Sequence, residues 1–180
     1  MSKISIVIGS WRSYNKCNER ALGSEWLDLE DFESYEEIEQ ELTKQGFELN
    51  GLDEELFIQD IEGIDAKDMN CDYIHPKTLF ELLNEADVIS NDYNYEIMSA
   101  FLEVRSFSDF ENRVKSCGSN WTDDIFLYKN TDWYDLGYNF MHECYQIPDY
   151  LDNYIDYERY ANDLKYDEFE EYSQGIIEIR

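Results

Sequence analysis

Carboxylates outnumber basic side chains three to one along the whole of this sequence, and this charge constrains the fold more than any motif does. The 180 residues include 42 Asp and Glu but only 14 Lys and Arg, for a formal net charge of −28. Such self-repulsion opposes a compact state. Hydrophobic residues nevertheless make up 43% of the sequence and aromatic residues 16%, which indicates a folded protein that displays its carboxylates on the surface.

The acidic residues are distributed over three blocks rather than gathered in a tail. Net charges of −12, −5 and −11 fall on residues 1–65, 66–105 and 106–180. A disordered acidic tail would be one run of like charges without aromatic residues, whereas 29 Tyr, Phe and Trp are spread throughout this chain. The blocks predict an N-terminal β-containing domain, a helical middle domain and a C-terminal α+β domain.

The first block predicts a small antiparallel sheet with one helix. Ser34 and Glu37 have the spacing of a capping box at the start of that helix, and Gly46 has the position of its C′ residue. The polar segment 14–23 predicts a loop. β-rich runs predict three strands, at 4–8, 25–29 and 56–61.

Apolar spacing predicts helices in the middle block and mixed structure after it. Pro76 suits the first turn of a helix, and Ser106 with Asp109 forms another capping pattern that begins a helix running to about Ser116. The fold class is therefore α+β. The other predicted elements are a helix around 97–102, a strand at 125–128, a helix at 133–145, two short helical pieces within 151–164 and a hairpin at 169–179.

No enzyme or metal-site signature is present. The chain has no GxGxxG, Walker or GxSxG motif, and His75 and His142 are its only histidines. His142-Glu-Cys144 lacks the H-x-E and PCxxC elements of zinc deaminases, and we interpret it as a helix histidine near a buried thiol. The loop that begins at Asp60 places Gly fourth and Cys71 twelfth, unlike a calcium loop. We predict no enzyme, no cofactor and no metal.

The charge and the cysteines also limit partners and location. Carboxylates repel phosphates, so the charge argues strongly against binding to a nucleic-acid backbone and disfavours binding to an anionic membrane. No segment approaches the roughly 20 apolar residues of a membrane span, and the start does not fit a signal peptide. Four scattered cysteines without a CxxC pair predict a reduced, cytoplasmic protein with structural thiols.

A folded acidic surface suggests imitation of DNA. B-DNA carries one charge per about 1.7 Å of its axis, so a dimer with a charge of −56 would correspond to roughly 95 Å of duplex. A rigid core would also avoid the ordering cost of a flexible acidic tail. The rival interpretation is a solvated acidic surface, as in a salt-adapted protein, and composition alone leaves both open.

Four sequence strings are spread over almost the whole chain. After the opening β-strand they are Tyr14-Asn15 with Leu22-Gly23-x-x-Trp26, then Ile58-x-Asp60-x-Glu62-Gly63, then Asn153-Tyr-Ile-Asp156-Tyr-Glu-x-Tyr160-Ala-x-Asp163-Leu164, and finally Gly175-Ile-x-Glu178-Ile179. In these strings and in their order the chain resembles ArdA-type antirestriction proteins.

The resemblance implies an elongated, three-part, homodimeric DNA mimic that binds type I restriction–modification enzymes and blocks their access to DNA. Its C-terminal domain would form the dimer contact. The loop 16–20 departs from the family pattern because it is longer and carries two bases. The stretch 82–104 occupies the approximate place of the family's antirestriction segment.

Two sets of site residues follow, with no catalytic, cofactor or metal residue among them. Tyrosine is favoured at protein–protein interfaces, and the predicted dimer interface is Tyr145, Tyr150, Tyr154 and Tyr157. The predicted DNA-mimic surface is Asp109, Glu111, Asp123, Asp124, Asp132, Asp135, Asp149, Asp152, Asp156, Glu158 and Asp163.

Two alternative functions stay open. One is an acidic binding or inhibitory protein for another basic DNA-binding partner, and the other is a carboxylate-based hydrolase.

Overall fold

The computed structural model describes residues 4–164 and 168–180. The chain forms two compact units, Met1–Trp121 and Thr122–Arg180. The predicted α+β class is confirmed, since the described residues form eight α-helices and two three-stranded sheets. The division into three domains at 65/66 and 105/106 stays a prediction.

The first sheet consists of β1 (Ser5–Ser10), β2 (Leu27–Asp28) and β3 (Leu56–Glu62). It is antiparallel and has the order β2-β1-β3. The central strand is buried along its whole length, which explains its continuous apolar run. Ile6 lies opposite Leu27 on one side and opposite Ile61 on the other. The three predicted strands are confirmed.

Two helices accompany this sheet, α1 (Trp11–Lys16) and α2 (Tyr35–Lys44). Part of α1 lies where a loop was predicted, so that prediction is wrong; the helix begins at the Ser10 cap and ends at Cys17, which has a φ of 49°. For α2 the predicted helix is confirmed, and Gly46 has the predicted left-handed conformation, with a φ of 91°. The predicted capping box is wrong. Ser34 makes no side-chain cap, and the Glu37 carboxylate accepts from the Glu33 N–H at 2.8 Å.

The remainder of this unit contains the helices α3 (Pro76–Glu85), α4 (Asp92–Val104) and α5 (Phe107–Cys117). All three were predicted, and the Ser106–Asp109 capping box is present. Trp121 is fully buried, and its Nε1 donates to the Ala86 carbonyl at 2.8 Å. Its ring contacts Phe110 edge-on at a centroid distance of 5.1 Å, so the Trp121 side chain completes the helical core.

The described residues of the second unit form one antiparallel sheet and three helices. The elements are β4 (Ile125–Lys129), α6 (Trp133–Cys144), α7 (Asp149–Asp152), α8 (Tyr157–Leu164), β5 (Phe169–Tyr172) and β6 (Gly175–Ile179). The strand order is β4-β6-β5, and the predicted C-terminal hairpin is confirmed. The core of the unit contains Leu136, Phe169 and Ile176. No helix among the described residues is long and apolar enough to cross a membrane.

Candidate functional site

Both units carry the negative charge. Unit Met1–Trp121 contains 27 acidic and 10 basic residues, for a net charge of −17. Unit Thr122–Arg180 contains 15 acidic and 4 basic residues, for a net charge of −11 in about half as many residues. The charge is therefore denser in the second unit, where most of the predicted surface carboxylates lie.

Nine of the eleven predicted surface carboxylates are exposed, and Glu111 and Asp152 are partly buried. Their position at the surface fits the prediction, while their action as a phosphate mimic stays a prediction. In chain order they lie on α5 (Asp109 and Glu111), in the turn before β4 (Asp123 and Asp124), at the start of α6 (Asp132 and Asp135), on α7 (Asp149 and Asp152) and at the start of or along α8 (Asp156, Glu158 and Asp163).

Three of these carboxylates also hold helix N-termini. Asp109 accepts from the Ser106 hydroxyl at 2.6 Å and from its N–H at 3.2 Å, and these bonds hold the pKa of Asp109 below its usual value. Asp132 accepts from the Asp135 N–H at 2.8 Å. Asp156 accepts from the Arg159 N–H at 2.9 Å. Replacing any of them by Ala would therefore remove a capping hydrogen bond as well as a charge.

Asp152 belongs to a polar cluster between α6, α7 and α8. It accepts from the Tyr157 hydroxyl at 2.6 Å and lies 2.9 Å from His142 Nε2. The Tyr157 bond, and then the His142 bond, hold the pKa of Asp152 below its usual value. Burial and the Asp152 carboxylate raise the pKa of Tyr157 to about 12. This cluster joins the three helices of the unit.

The predicted tyrosines of the dimer interface separate into two groups. Tyr145, Tyr150 and Tyr154 are 59%, 74% and 85% exposed. Tyr157 is only 1% exposed, because its ring packs edge-on against Tyr138 at a centroid distance of 5.2 Å. Tyr157 is thus a core residue of its own unit, and only the other three are available to a partner.

Sequence reasoning missed two further exposed tyrosines on α6. Tyr134 and Tyr138 are 50% and 37% exposed, and their rings stack with centroids 6.5 Å apart. Their spacing of four residues on one helical face was the available signal. They add aromatic area to the unit that contains Tyr150 and Tyr154.

A family model described as antirestriction protein (ArdA) matches residues 6–178, nearly the whole chain. This chain belongs to the ArdA antirestriction protein family. A search of curated proteins finds no match. Family membership confirms the suspected resemblance, and the acidic surface described above is the surface of an ArdA family member.

Several basic side chains of this ArdA family member pair with its own carboxylates. Helical pairs join Lys44 to Glu41 at 2.8 Å and Lys115 to Glu111 at 2.9 Å. Arg20, in the long basic loop, lies 3.1 Å from a buried carboxylate and is only 24% exposed. These pairs reduce the positive charge that would otherwise interrupt the acidic surface.

That buried partner is Asp53, which sequence reasoning missed. Its side chain is fully buried and accepts from the Glu48 N–H at 2.9 Å and from the Ser13 hydroxyl. Burial alone would raise the pKa of Asp53, but these bonds and the charge of Arg20 hold it below its usual value. Asp53 therefore ties α1 and the basic loop to the segment before β3. No pattern in the sequence distinguishes it from the other acids.

The cysteines and the histidines do not cluster into a metal site among the described residues. Cys17, Cys117 and Cys144 are exposed and Cys71 is partly buried, all as free thiols. The expectation of a buried thiol beside His142 is wrong, because Cys144 lies at the exposed end of α6. Over residues 4–164 and 168–180, no group of His, Cys, Asp and Glu side chains is arranged to hold a metal ion.

Proposed function

We propose that this protein is a DNA mimic that occupies the DNA-binding groove of type I restriction–modification enzymes and inhibits them competitively. One observation carries the proposal: an antirestriction family member displays a net charge of −28 on two folded units. Inhibition of this kind makes and breaks no bond, since surface carboxylates take the places of phosphates beside Lys and Arg of the enzyme.

The size of the charge supports this proposal. At about 1.7 Å of duplex per charge, one chain corresponds to roughly 48 Å of DNA and a homodimer to roughly 95 Å. The carboxylates sit on helices, turns and strands whose conformation is already ordered. The protein therefore avoids most of the entropic cost that a flexible polyanion would incur on binding.

The active form that we propose is a homodimer joined through the second unit, in the cytoplasm. Tyr145, Tyr150 and Tyr154 support this interface because they expose large aromatic area in the unit with the denser charge. Tyrosine combines a rigid apolar ring with a polar tip, which suits a contact between protein surfaces. Pairing two chains there would join their acidic surfaces into one longer mimic.

A competition experiment tests the proposed function. A purified methyltransferase core of a type I enzyme, bound to labelled target DNA, is titrated with this protein at low and at high salt. We expect stoichiometric displacement that weakens as salt rises, because exposed charges are screened. An unrelated folded acidic protein of similar net charge is the control for a general polyanion effect. Absence of displacement at micromolar protein would refute the proposal.

A further inference from the structure

A small apolar pocket opens on unit Met1–Trp121 between the segment 68–74 and the helices α3 and α5. It encloses about 230 Å³. Leu79, Leu82 and Phe107 are buried and form its apolar base, and Met69 and Ile74 add apolar walls. This volume is below the roughly 300–1,000 Å³ of small-molecule sites, so the pocket suits a single large side chain.

The walls of the pocket are held in place by hydrogen bonds. Asp68 accepts from the Phe107 N–H at 2.9 Å, which ties the segment 68–74 to the first turn of α5. The Tyr73 N–H donates to the Asn70 carbonyl at 3.1 Å. At the rim, Tyr73 is 85% exposed. A preformed apolar pocket beside an exposed aromatic residue has the features of an interface anchor site.

The rim of the pocket is acidic. Asp68 and Glu111 line it, and Asp72 precedes Tyr73 in the chain. An incoming apolar side chain would therefore be accepted best from a segment that also carries Lys or Arg. A second copy of the chain carries a net charge of −28 and would be repelled by this rim. It is thus a poor source of the occupant.

We propose that this pocket binds one large apolar side chain, flanked by Lys or Arg, from the protein partner. The inference rests on the proposed function, in which that partner is the restriction–modification enzyme. Carboxylates alone would bind any basic groove, whereas a shaped apolar pocket discriminates among basic partners. The pocket accordingly supplies selectivity that imitation of phosphate charge does not provide.

Two neutral substitutions test the pocket, each with a matched control. Tyr73→Ser removes the exposed wall, and Tyr93→Ser removes another exposed tyrosine of the same unit outside the pocket. Ser108→Phe fills the rim on α5, and Ser116→Phe makes the same change two turns further along that helix. Affinity for the methyltransferase core is measured at several salt concentrations. Thermal unfolding confirms that each variant is folded.

Both pocket variants should bind at least about tenfold more weakly than their controls at every salt concentration. The slope of log affinity against log salt should not change, because no charge is altered. If Ser108→Phe fails to fold, Tyr73→Ser decides, since its side chain contributes little buried area.

Three results would overturn the inference, and they differ in whether the proposed function fails with it. If the wild-type protein does not displace DNA, the proposed function fails and the pocket assignment with it. If the wild type inhibits but both variants match their controls, the pocket assignment alone fails. If Tyr73→Ser changes the oligomeric state but not the affinity, the occupant is a second copy and not the partner.

Discussion

Replacement of Gly137 by Ala should destabilise the second unit, although helix propensity alone predicts that it stabilises the helix. Gly137 lies in the middle of α6, where Ala is preferred over Gly by about 1 kcal/mol. At this position, however, α6 crosses α8. An added methyl group would lie 2.9 Å from the carbonyl carbon of Tyr157 and 3.2 Å from Cβ of Ala161, and it would overlap the Tyr157 carbonyl oxygen.

The packing effect should exceed the propensity effect. The obstructing atoms belong mainly to the backbone of α8, which cannot rotate away as a flexible side chain can. Overpacking of this kind costs about 1–3 kcal/mol and sometimes more, and we expect the upper part of that range. After about 1 kcal/mol of propensity gain is subtracted, the net loss is about 2 kcal/mol. For a unit of this size, that loss lowers the unfolding midpoint by roughly 8–16 °C.

The assay combines thermal unfolding with hydrogen exchange read by mass spectrometry on peptides from α6 and α8. We expect a lower midpoint and faster exchange in those peptides. Gly51→Ala is the matched control, because an added methyl group there meets atoms no closer than 3.8 Å; it should be neutral or slightly stabilising. Should Gly137→Ala prove as stable as wild type, the close crossing of α6 and α8 would be refuted.

Three further predictions concern the buried network, the interface and the charged surface. Asp53→Ala should lower the free energy of unfolding by about 3–5 kcal/mol at pH 7, because it leaves Arg20 unpaired. Since folding lowers the pKa of Asp53, the difference in unfolding free energy between wild type and variant, measured with urea, should shrink as the pH falls through that pKa. Tyr150→Ser with Tyr154→Ser should shift sedimentation from dimer toward monomer, and an unchanged dimer would place the interface elsewhere. Asp135→Asn alone should weaken the free energy of binding to the restriction–modification enzyme by about 0–1 kcal/mol. Complete loss of inhibition would contradict a distributed charged surface.

Elements with a local chemical signal could be predicted from the sequence. Pro76 begins α3, the Ser106–Asp109 capping box begins α5, and Gly46 ends α2. In each case the signal is a backbone requirement that one or two residues satisfy by themselves. At these three positions the signal does not depend on which other part of the chain packs nearby, and it survives in the folded protein.

Elements that depend on distant residues could not be predicted. α1 has only six residues and no apolar periodicity, yet its buried Ser13 donates to Asp53, forty residues away in sequence. Ser34 fails as a cap because Glu37 accepts from Glu33 instead, a choice that the sequence pattern alone does not reveal. A long-range contact thus accounts for the first error, and a competing local hydrogen bond accounts for the second.

The same limit applies to the candidate site. Composition predicts that carboxylates lie at the surface, because burial of an unpaired charge is costly. It does not reveal which carboxylates are exceptions, and Asp53 and Glu178 are both buried. Nor does it separate Tyr157, which is buried, from Tyr154, which is 85% exposed. Such differences arise from the tertiary environment of each side chain and not from residue type.

Carboxylates therefore serve two purposes in this protein, and neutralisation experiments must keep them apart. Asp53, Asp109 and Asp152 accept hydrogen bonds from other residues of the chain, so their replacement would change stability as well as charge. Loss of inhibition in such variants could be mistaken for loss of phosphate mimicry. Asp149 and Glu158 occupy exposed positions on α7 and α8. Replacing these two by amides, with unfolding measured in parallel, isolates the electrostatic part of binding. The dependence of affinity on salt must then decrease in proportion to the charges removed.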